Sequence, residues 1–290
     1  MEKLWNTYYI YHPDDADRLL KEVVDPAVQN LQEVLTEEVK FFFIRYFENG
    51  YHIRLRLLLS AEKAKVFLLI LKDHISVYEQ RNGVFLELKE AEYIPETERY
   101  GNENTIAHAE NQFCASSQFV LHHLTQNSPL TASERYLLAM KTHFAFFKGM
   151  RLSQEYSREL CEKFVQSWLP LPISDNPDEH EQNSKDLWSV FQRQFESYQP
   201  LLYENIVMFW NSLDATTDLF TKQFLKENHK IWQEYVQSKL PLKALEEALL
   251  SFIHMTNNRW GIINAEESYL LFLIMRTLPL IKDYDNKSRT

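Results

Sequence analysis

The first hundred residues switch repeatedly between two hydrophobic periods. Trp5–Tyr11 (WNTYYIY) is a short aromatic and β-branched run that predicts a strand. His12-Pro13-Asp14-Asp15 then opens a helical pattern running to about Val34. Phe41–Leu59 predicts a pair of strands, Ala61–Gln80 a helix, and Val84–Tyr93, which alternates again, a further strand. Strand–helix–strand–strand–helix–strand points to an antiparallel-rich sheet with helices packed on one face. From about Thr105 the strand signal disappears. Helical periods fill 105–125, 131–148, 153–168, 185–213, 217–238, 241–256 and 265–280. Leu169–Lys185, with three prolines and mixed charge, reads as the one long loop. The expectation is an α+β chain, with a mixed lobe over about 1–104 and a helical lobe over about 105–290. One continuous domain is favoured over two.

Composition removes several function classes. The chain has only five glycines, Gly50, Gly83, Gly101, Gly149 and Gly261, all far apart. A dinucleotide turn, a P-loop or a nucleophile elbow needs clustered residues without Cβ, so all three are excluded. Any bound anion must be held mostly by side chains. A net charge of −10 argues against direct nucleic-acid binding, which needs a basic surplus. Cys114 and Cys161 are too few for a disulfide framework or a thiolate zinc site. His108, His122 and His123 lie near Cys114, but no HExxH or CxxC spacing accompanies them, so no metal is expected. The N-terminus lacks a secretory pattern, and no run reaches about 18 apolar residues. The expectation is a cytoplasmic protein without a membrane partner. Its many aromatic residues are mostly core, with a share available to line a peptide groove.

The most informative segment runs from Lys40 to Leu57. Asn49-Gly50 between two alternating runs is a strong hairpin signal, because a type I′ turn needs positive φ at both central positions. A two-residue turn there sets Arg45 opposite Arg54, Phe47 opposite His52 and Phe43 opposite Arg56. Alternation then places Phe43, Arg45, Phe47, His52, Arg54 and Arg56 on one face. Phe42, Ile44, Tyr46, Ile53, Leu55 and Leu57 form the core face. Like charges directly opposed across a sheet repel, so Arg45 and Arg54 call for internal carboxylates or an anionic ligand. The plain structural alternative is a solvated, salt-bridged outer face. Two phenylalanines on that side favour a covered wall whose guanidinium forks suit carboxylates.

Several motifs together resemble a known family. Phe43-Ile-Arg45-Tyr46, then His52-Ile-Arg54-Leu-Arg56, Glu98-Arg99-Tyr100-Gly101, Ala109-Glu110-x-x-Phe113 and Ile253-His254-Met255-x-x-Asn258-Arg259 occur in its order. They are similar to those of the thiopeptide-type bacteriocin biosynthesis domain, which also forms the elimination domain of lanthipeptide dehydratases. Asn102 stands where the family usually has a second glycine, and Ala115 precedes Ser116 where an acidic residue is common.

The resemblance implies a stand-alone, or split, member acting on a ribosomally made precursor peptide. A separate glutamyl-tRNA-dependent partner first glutamylates Ser or Thr. The elimination enzyme then expels glutamate to leave dehydroalanine or dehydrobutyrine, needing no metal or redox cofactor. It implies catalytic roles for Arg54, Arg56, Arg99 and His254, and substrate binding by Arg45, His52, Glu96 and Tyr100. The arginines suit the glutamyl carboxylate and developing charge, and histidine suits proton transfer near neutrality. For His254, in the apolar run ALLSFIHM, the structural alternative is a satisfied core residue. Glu96 and Glu98 have the alternative of pairing with the hairpin arginines. A homodimer is implied by resemblance alone. Two rival functions remain: a [4+2] pyridine synthase that forms a thiopeptide macrocycle, and a non-catalytic module that presents the precursor. Retention of the arginines and His254 argues for elimination, since cycloaddition has no equivalent departing carboxylate.

Overall fold

The computed structural model describes residues 2–13, 15–126, 129–169 and 177–287, and the chain divides into two compact units, Met1–Leu130 and Thr131–Thr290. In the first unit, strands β1 (Leu4–Tyr11), β2 (Phe41–Tyr46), β3 (His52–Leu59) and β4 (Glu87–Ala91) form a sheet in the order β2-β3-β1-β4. Every neighbouring pair is antiparallel. Between β1 and β2 run α1 (Ala16–Leu19), a π-helical turn (Leu20–Val24) and α2 (Asp25–Leu35). Helix α3 (Ala61–Asn82) joins β3 to β4, giving a βαββαβ arrangement.

The alternation of β1 decides which face these helices cover. Tyr8 and Ile10 are buried on it, and the Tyr8 ring meets Phe67 of α3 edge-on at 5.3 Å. Ile53, Leu55 and Leu57 of β3 share that face and are fully buried. Helix α1 starts at Asp15, whose carboxylate accepts from the Asp17 N–H at 2.8 Å. Helix α3 stops at Gly83, which takes the left-handed conformation (φ 64°) of a C-cap.

Helix α4 (Ile106–Gln126) belongs to this unit and lies along β2. The outward N–H of Phe43 donates to Ser117 Oγ at 3.1 Å, and Phe42 packs on Phe113 with ring centres 5.3 Å apart. The helix thus covers an edge that would otherwise present unpaired backbone groups.

The second unit is helical: α5 (Ala132–Gly149), α6 (Gln154–Trp168), α7 (Pro177–Leu202), α8 (Met208–Ser212), α9 (Leu219–Gln237), α10 (Leu242–Trp260) and α11 (Ala265–Lys287). A capping box between Thr131 and Glu134 starts α5. Helix α6 packs along α11, and Phe146, Phe164, Phe252, Trp260 and Phe272 fill the interior.

The expected long loop over Leu169–Lys185 is shorter in its second half, because α7 begins at Pro177. Proline suits the first helical position, where its missing N–H has no intrahelical partner to lose. Residues 170–176 of that loop lie outside the described residues. The helical stretch expected over 185–213 is interrupted by a π-helical turn at Tyr203–Val207, just after Pro200.

Candidate functional site

The hairpin register differs from the expectation by one residue. Tyr46 pairs with His52, Ile44 with Arg54 and Phe42 with Arg56. The strands are joined not by a two-residue turn but by five residues, Phe47–Tyr51, in which the Gly50 N–H donates to the Phe47 carbonyl at 3.2 Å. Asn49 and Gly50 do adopt positive φ (59° and 105°). A slip of one residue turns every side chain of one strand to the opposite face. Phe42, Ile44 and Tyr46 therefore join His52, Arg54 and Arg56, while Phe43 and Arg45 turn to the helix-covered side. Phe43 is fully buried there, and Phe47 is a 60% exposed turn residue.

The predicted Arg45–Arg54 juxtaposition is thus corrected. Arg45 forms an ion pair with Asp17 at 2.6 Å, on the other side of the sheet from Arg54 and Arg56.

Arg54 and Arg56 lie on a face walled by aromatic rings. Strand β1 brings Trp5, Thr7, Tyr9 and Tyr11 to that face through its register with β3. The Arg54 guanidinium lies between two tyrosines, 3.4 Å from the Tyr46 ring centre and 4.7 Å from that of Tyr9. Its Nε donates to His52 Nε2 at 3.1 Å, while His52 Nδ1 meets the Gly50 carbonyl at 2.8 Å. Accepting at Nε2 and donating at Nδ1 makes His52 a neutral tautomer. Burial first, then the charge of Arg54, holds its pKa below the ordinary histidine value. With both ring nitrogens engaged and the side chain buried, His52 positions Arg54.

Arg56 is more enclosed. Its guanidinium lies 4.7 Å from the Tyr93 ring centre and 5.3 Å from that of Phe42, and its buried Nε has no hydrogen-bond partner. Among the described residues, no carboxylate pairs with Arg54 or Arg56. Burial pushes the Arg56 pKa below its ordinary value; the nearby Tyr93, Tyr9 and Glu96 oppose that shift, and Arg54 adds to it. A desolvated guanidinium fork without a close ion pair is a natural partner for a carboxylate.

The segment after β4 brings Tyr93 to this face. The Trp5 indole and the Tyr93 hydroxyl donate to Glu110, whose carboxyl is pushed up by burial. Tyr93 is pushed up too, by burial and by Glu110. Glu96 and Arg99 sit at the 3₁₀ turn Thr97–Tyr100, where Arg99 Nη1 and Glu96 Oε2 are 2.9 Å apart. Glu96 pairs within its own motif, not with a hairpin arginine, and its side chain is 63% exposed. Tyr100 is buried against Phe113, ring centres 4.9 Å apart, and so supports the turn from beneath. Gly101 follows at φ 111°, a conformation that suits glycine.

His254 belongs to the second unit, on α10. It is not a sealed core residue: its side chain is 22% exposed, with Nδ1 2.9 Å from Glu267 Oε2. The Trp168 ring stacks on the imidazole, centres 4.4 Å apart and planes at 30°. Arg259, of the same motif, is buried and donates to the Met255 carbonyl at 2.9 Å. Cys114 and Cys161 are both buried, and no disulfide joins them.

Sequence reasoning gave no site role to Tyr9, Tyr93, Trp168 and Glu267, nor to Tyr46 and Glu110, although these two stand in its motifs. The odd-numbered alternation of β1 carried a signal for Tyr9. Glu267 follows His254 by 13 residues across a helix junction, and no period links them.

The family model described as "Lantibiotic biosynthesis dehydratase C-term" matches residues 5–278. Among solved structures, the tRNA-dependent lantibiotic dehydratase MibB of Microbispora sp. 107891 aligns with a TM-score of 0.61 and 20% identity over 99% of this chain. This chain spans 28% of that one. The pyridine synthase TbtD of thiomuracin biosynthesis aligns with a TM-score of 0.69 and 11% identity, covering 96% of this chain and 98% of TbtD. TsrL aligns with a TM-score of 0.64 and 14% identity, covering 97% and 96%. At these identities the likeness establishes the fold. No curated protein sequence matches. Among the described residues, no helix is long and apolar enough to cross a membrane.

Proposed function

The chain belongs to the lantibiotic biosynthesis dehydratase C-terminal family, and we propose that it removes glutamate from glutamylated Ser or Thr of a ribosomally made precursor peptide. The products are dehydroalanine or dehydrobutyrine. The observation that carries this reading is the pair Arg54 and Arg56: two guanidinium groups with no ion-pair partner among the described residues, on an aromatic face of an acidic protein.

The chemistry needs two kinds of help. A base takes the Cα proton, the C–H pair forms the Cα–Cβ double bond, and the Cβ–O bond breaks toward the departing glutamate carboxylate. Charge develops on the peptide carbonyl and on the leaving group, and both are stabilised by preorganised cations. Arg54, Arg56 and Arg99 take that role, with Glu96 orienting Arg99 and Tyr100 bracing the turn. His52 acts through Arg54. Proton transfer is assigned to His254 by its family motif and by its partly exposed, carboxylate-backed imidazole. The reading also implies a separate glutamylating partner protein, and a homodimer is compatible with it.

The test is a synthetic glutamylated peptide incubated with the protein and followed by mass. Release of free glutamate with a dehydrated peptide product supports elimination. A second reading, pyridine formation by [4+2] cycloaddition, is favoured by the near full-length likeness to TbtD. It requires a peptide already carrying dehydroalanines to lose its leader and close a ring. Binding with no mass change in either assay would mark a presenting module instead.

A further inference from the structure

Helix α11 begins at Ala265, four residues after Gly261, the C-cap of α10, and its first turn carries Glu267. Only 1% of the Glu267 side chain is exposed. A buried carboxylate is costly unless its lone pairs are satisfied. Oε2 is 2.9 Å from His254 Nδ1 and 3.2 Å from the Asn257 amide nitrogen, which donates to it. The first turn of a helix favours negative charge, because the unpaired N–H groups and the macrodipole point there. Glu267 therefore sits in the N-terminal turn of α11 with two partners on the oxygen that faces His254.

The next groups inward fix the directions of these bonds. Asn257 uses its amide N–H on Glu267, so its Oδ1 must accept, and it lies 2.6 Å from His143 Nε2. His143 then carries its proton on Nε2, and its Nδ1 is buried without a partner. Burial keeps that ring neutral, with the His143 pKa pushed down to about 4. Every donor in this chain points toward Glu267. The far side of the His254 ring is held as well, since Ser268, next to Glu267, donates to the Trp168 carbonyl at 2.5 Å and so anchors the indole stacked on it.

We propose that Glu267 is a positioning residue for His254: it fixes the imidazole with the proton on Nδ1 and the lone pair on Nε2, and it offsets positive charge when Nε2 takes up a proton. Asn257 and His143 hold the carboxylate in place. This rests on the elimination reading only for the identity of the reaction; the tautomer is a property of the protein alone.

The test has two arms. In protein labelled with ¹⁵N-histidine, long-range ¹H–¹⁵N correlation at about pH 8, above the ordinary histidine range, reads the tautomer of each ring, with His254→Gln supplying the assignment. His254 protonated at Nδ1 is expected; an Nε2-protonated or mixed ring overturns the proposal, whatever the activity. In the second arm, Glu267→Gln should lower kcat on glutamylated peptide by about 10³–10⁴-fold, by analogy with the third member of a catalytic triad, with KM changed less than about threefold. Glu267→Asp should recover part of the loss. Wild-type kcat in Glu267→Gln overturns the proposal. If wild-type protein eliminates nothing, the functional reading fails, and the tautomer measurement still decides the role of Glu267.

Discussion

The guanidinium carbon of Arg54 lies 3.4 Å from the centre of the Tyr46 ring. That contact exists because Tyr46 pairs with His52 across the hairpin and so shares a face with Arg54. A cation stacked on an aromatic face keeps its fork flat and its outer N–H groups directed at a ligand. Replacing Tyr46 by Leu should weaken binding of a glutamylated peptide by about 0.5–2 kcal/mol, the usual span of a cation–π contact. Tyr46→Phe, which keeps the ring but loses the hydroxyl that meets Glu48 and Arg54, should bind more tightly than Tyr46→Leu. Calorimetry decides it: undiminished binding by Tyr46→Leu would mean the stack has no part in holding the anion.

Arg56 couples function to a cost in stability. Its guanidinium is enclosed by Tyr93 and Phe42, and its Nε is unsatisfied. Replacing a buried unpaired charge by an apolar side chain of similar volume is often neutral or stabilising. Arg56→Met should therefore melt at or above the wild-type temperature while losing turnover. A marked fall in Tm, or retained turnover, would remove Arg56 from the anion site.

Arg45 should behave in the opposite way. Its partner is Asp17, and both side chains are largely covered. Arg45→Met should lower stability by about 1 kcal/mol, toward the upper end for partly exposed pairs. Elimination kinetics should change less than about twofold. A drop in kcat/KM comparable to that of Arg56→Met would return Arg45 to the site.

Acid should loosen the second unit through His143. Its folded pKa of about 4 lies below the ordinary value of 6.5, so between these values the unfolded chain binds more protons. The stabilisation is complete above about pH 6.5, and it declines as pH falls toward about 4. The full difference corresponds to roughly 3 kcal/mol. His143→Gln, which retains a donor toward Asn257, should flatten that part of the Tm–pH curve. An unchanged slope would place the acid sensitivity elsewhere.

Much of this molecule was legible before folding. The alternation of Trp5–Tyr11, the helical periods beyond Thr105 and the Asn49-Gly50 turn each report local preferences, and local preferences survive in the fold. Of the motif residues, Arg54, Arg56, Glu96 and Arg99 lie in the first unit, and His254, in the second, has a partly exposed side chain. The family could be read because its motifs are short, ordered and chemically demanding.

Register and partnership were not legible, because both depend on distances between segments. Asn49-Gly50 adopts the expected positive φ, yet the chain closes over five residues instead of two, and that single step exchanges Phe43 and Arg45 for Phe42 and Tyr46 beside the arginines. An alternating strand reads equally well in either register until the core claims one face. Likewise nothing local distinguishes Glu267 from the adjacent Glu266. Packing of α11 after α10 buries Glu267 against His254, and a buried carboxylate must find donors. Residue types and periods are properties of the chain, whereas the pairing of one side chain with another follows from which surfaces exclude water together.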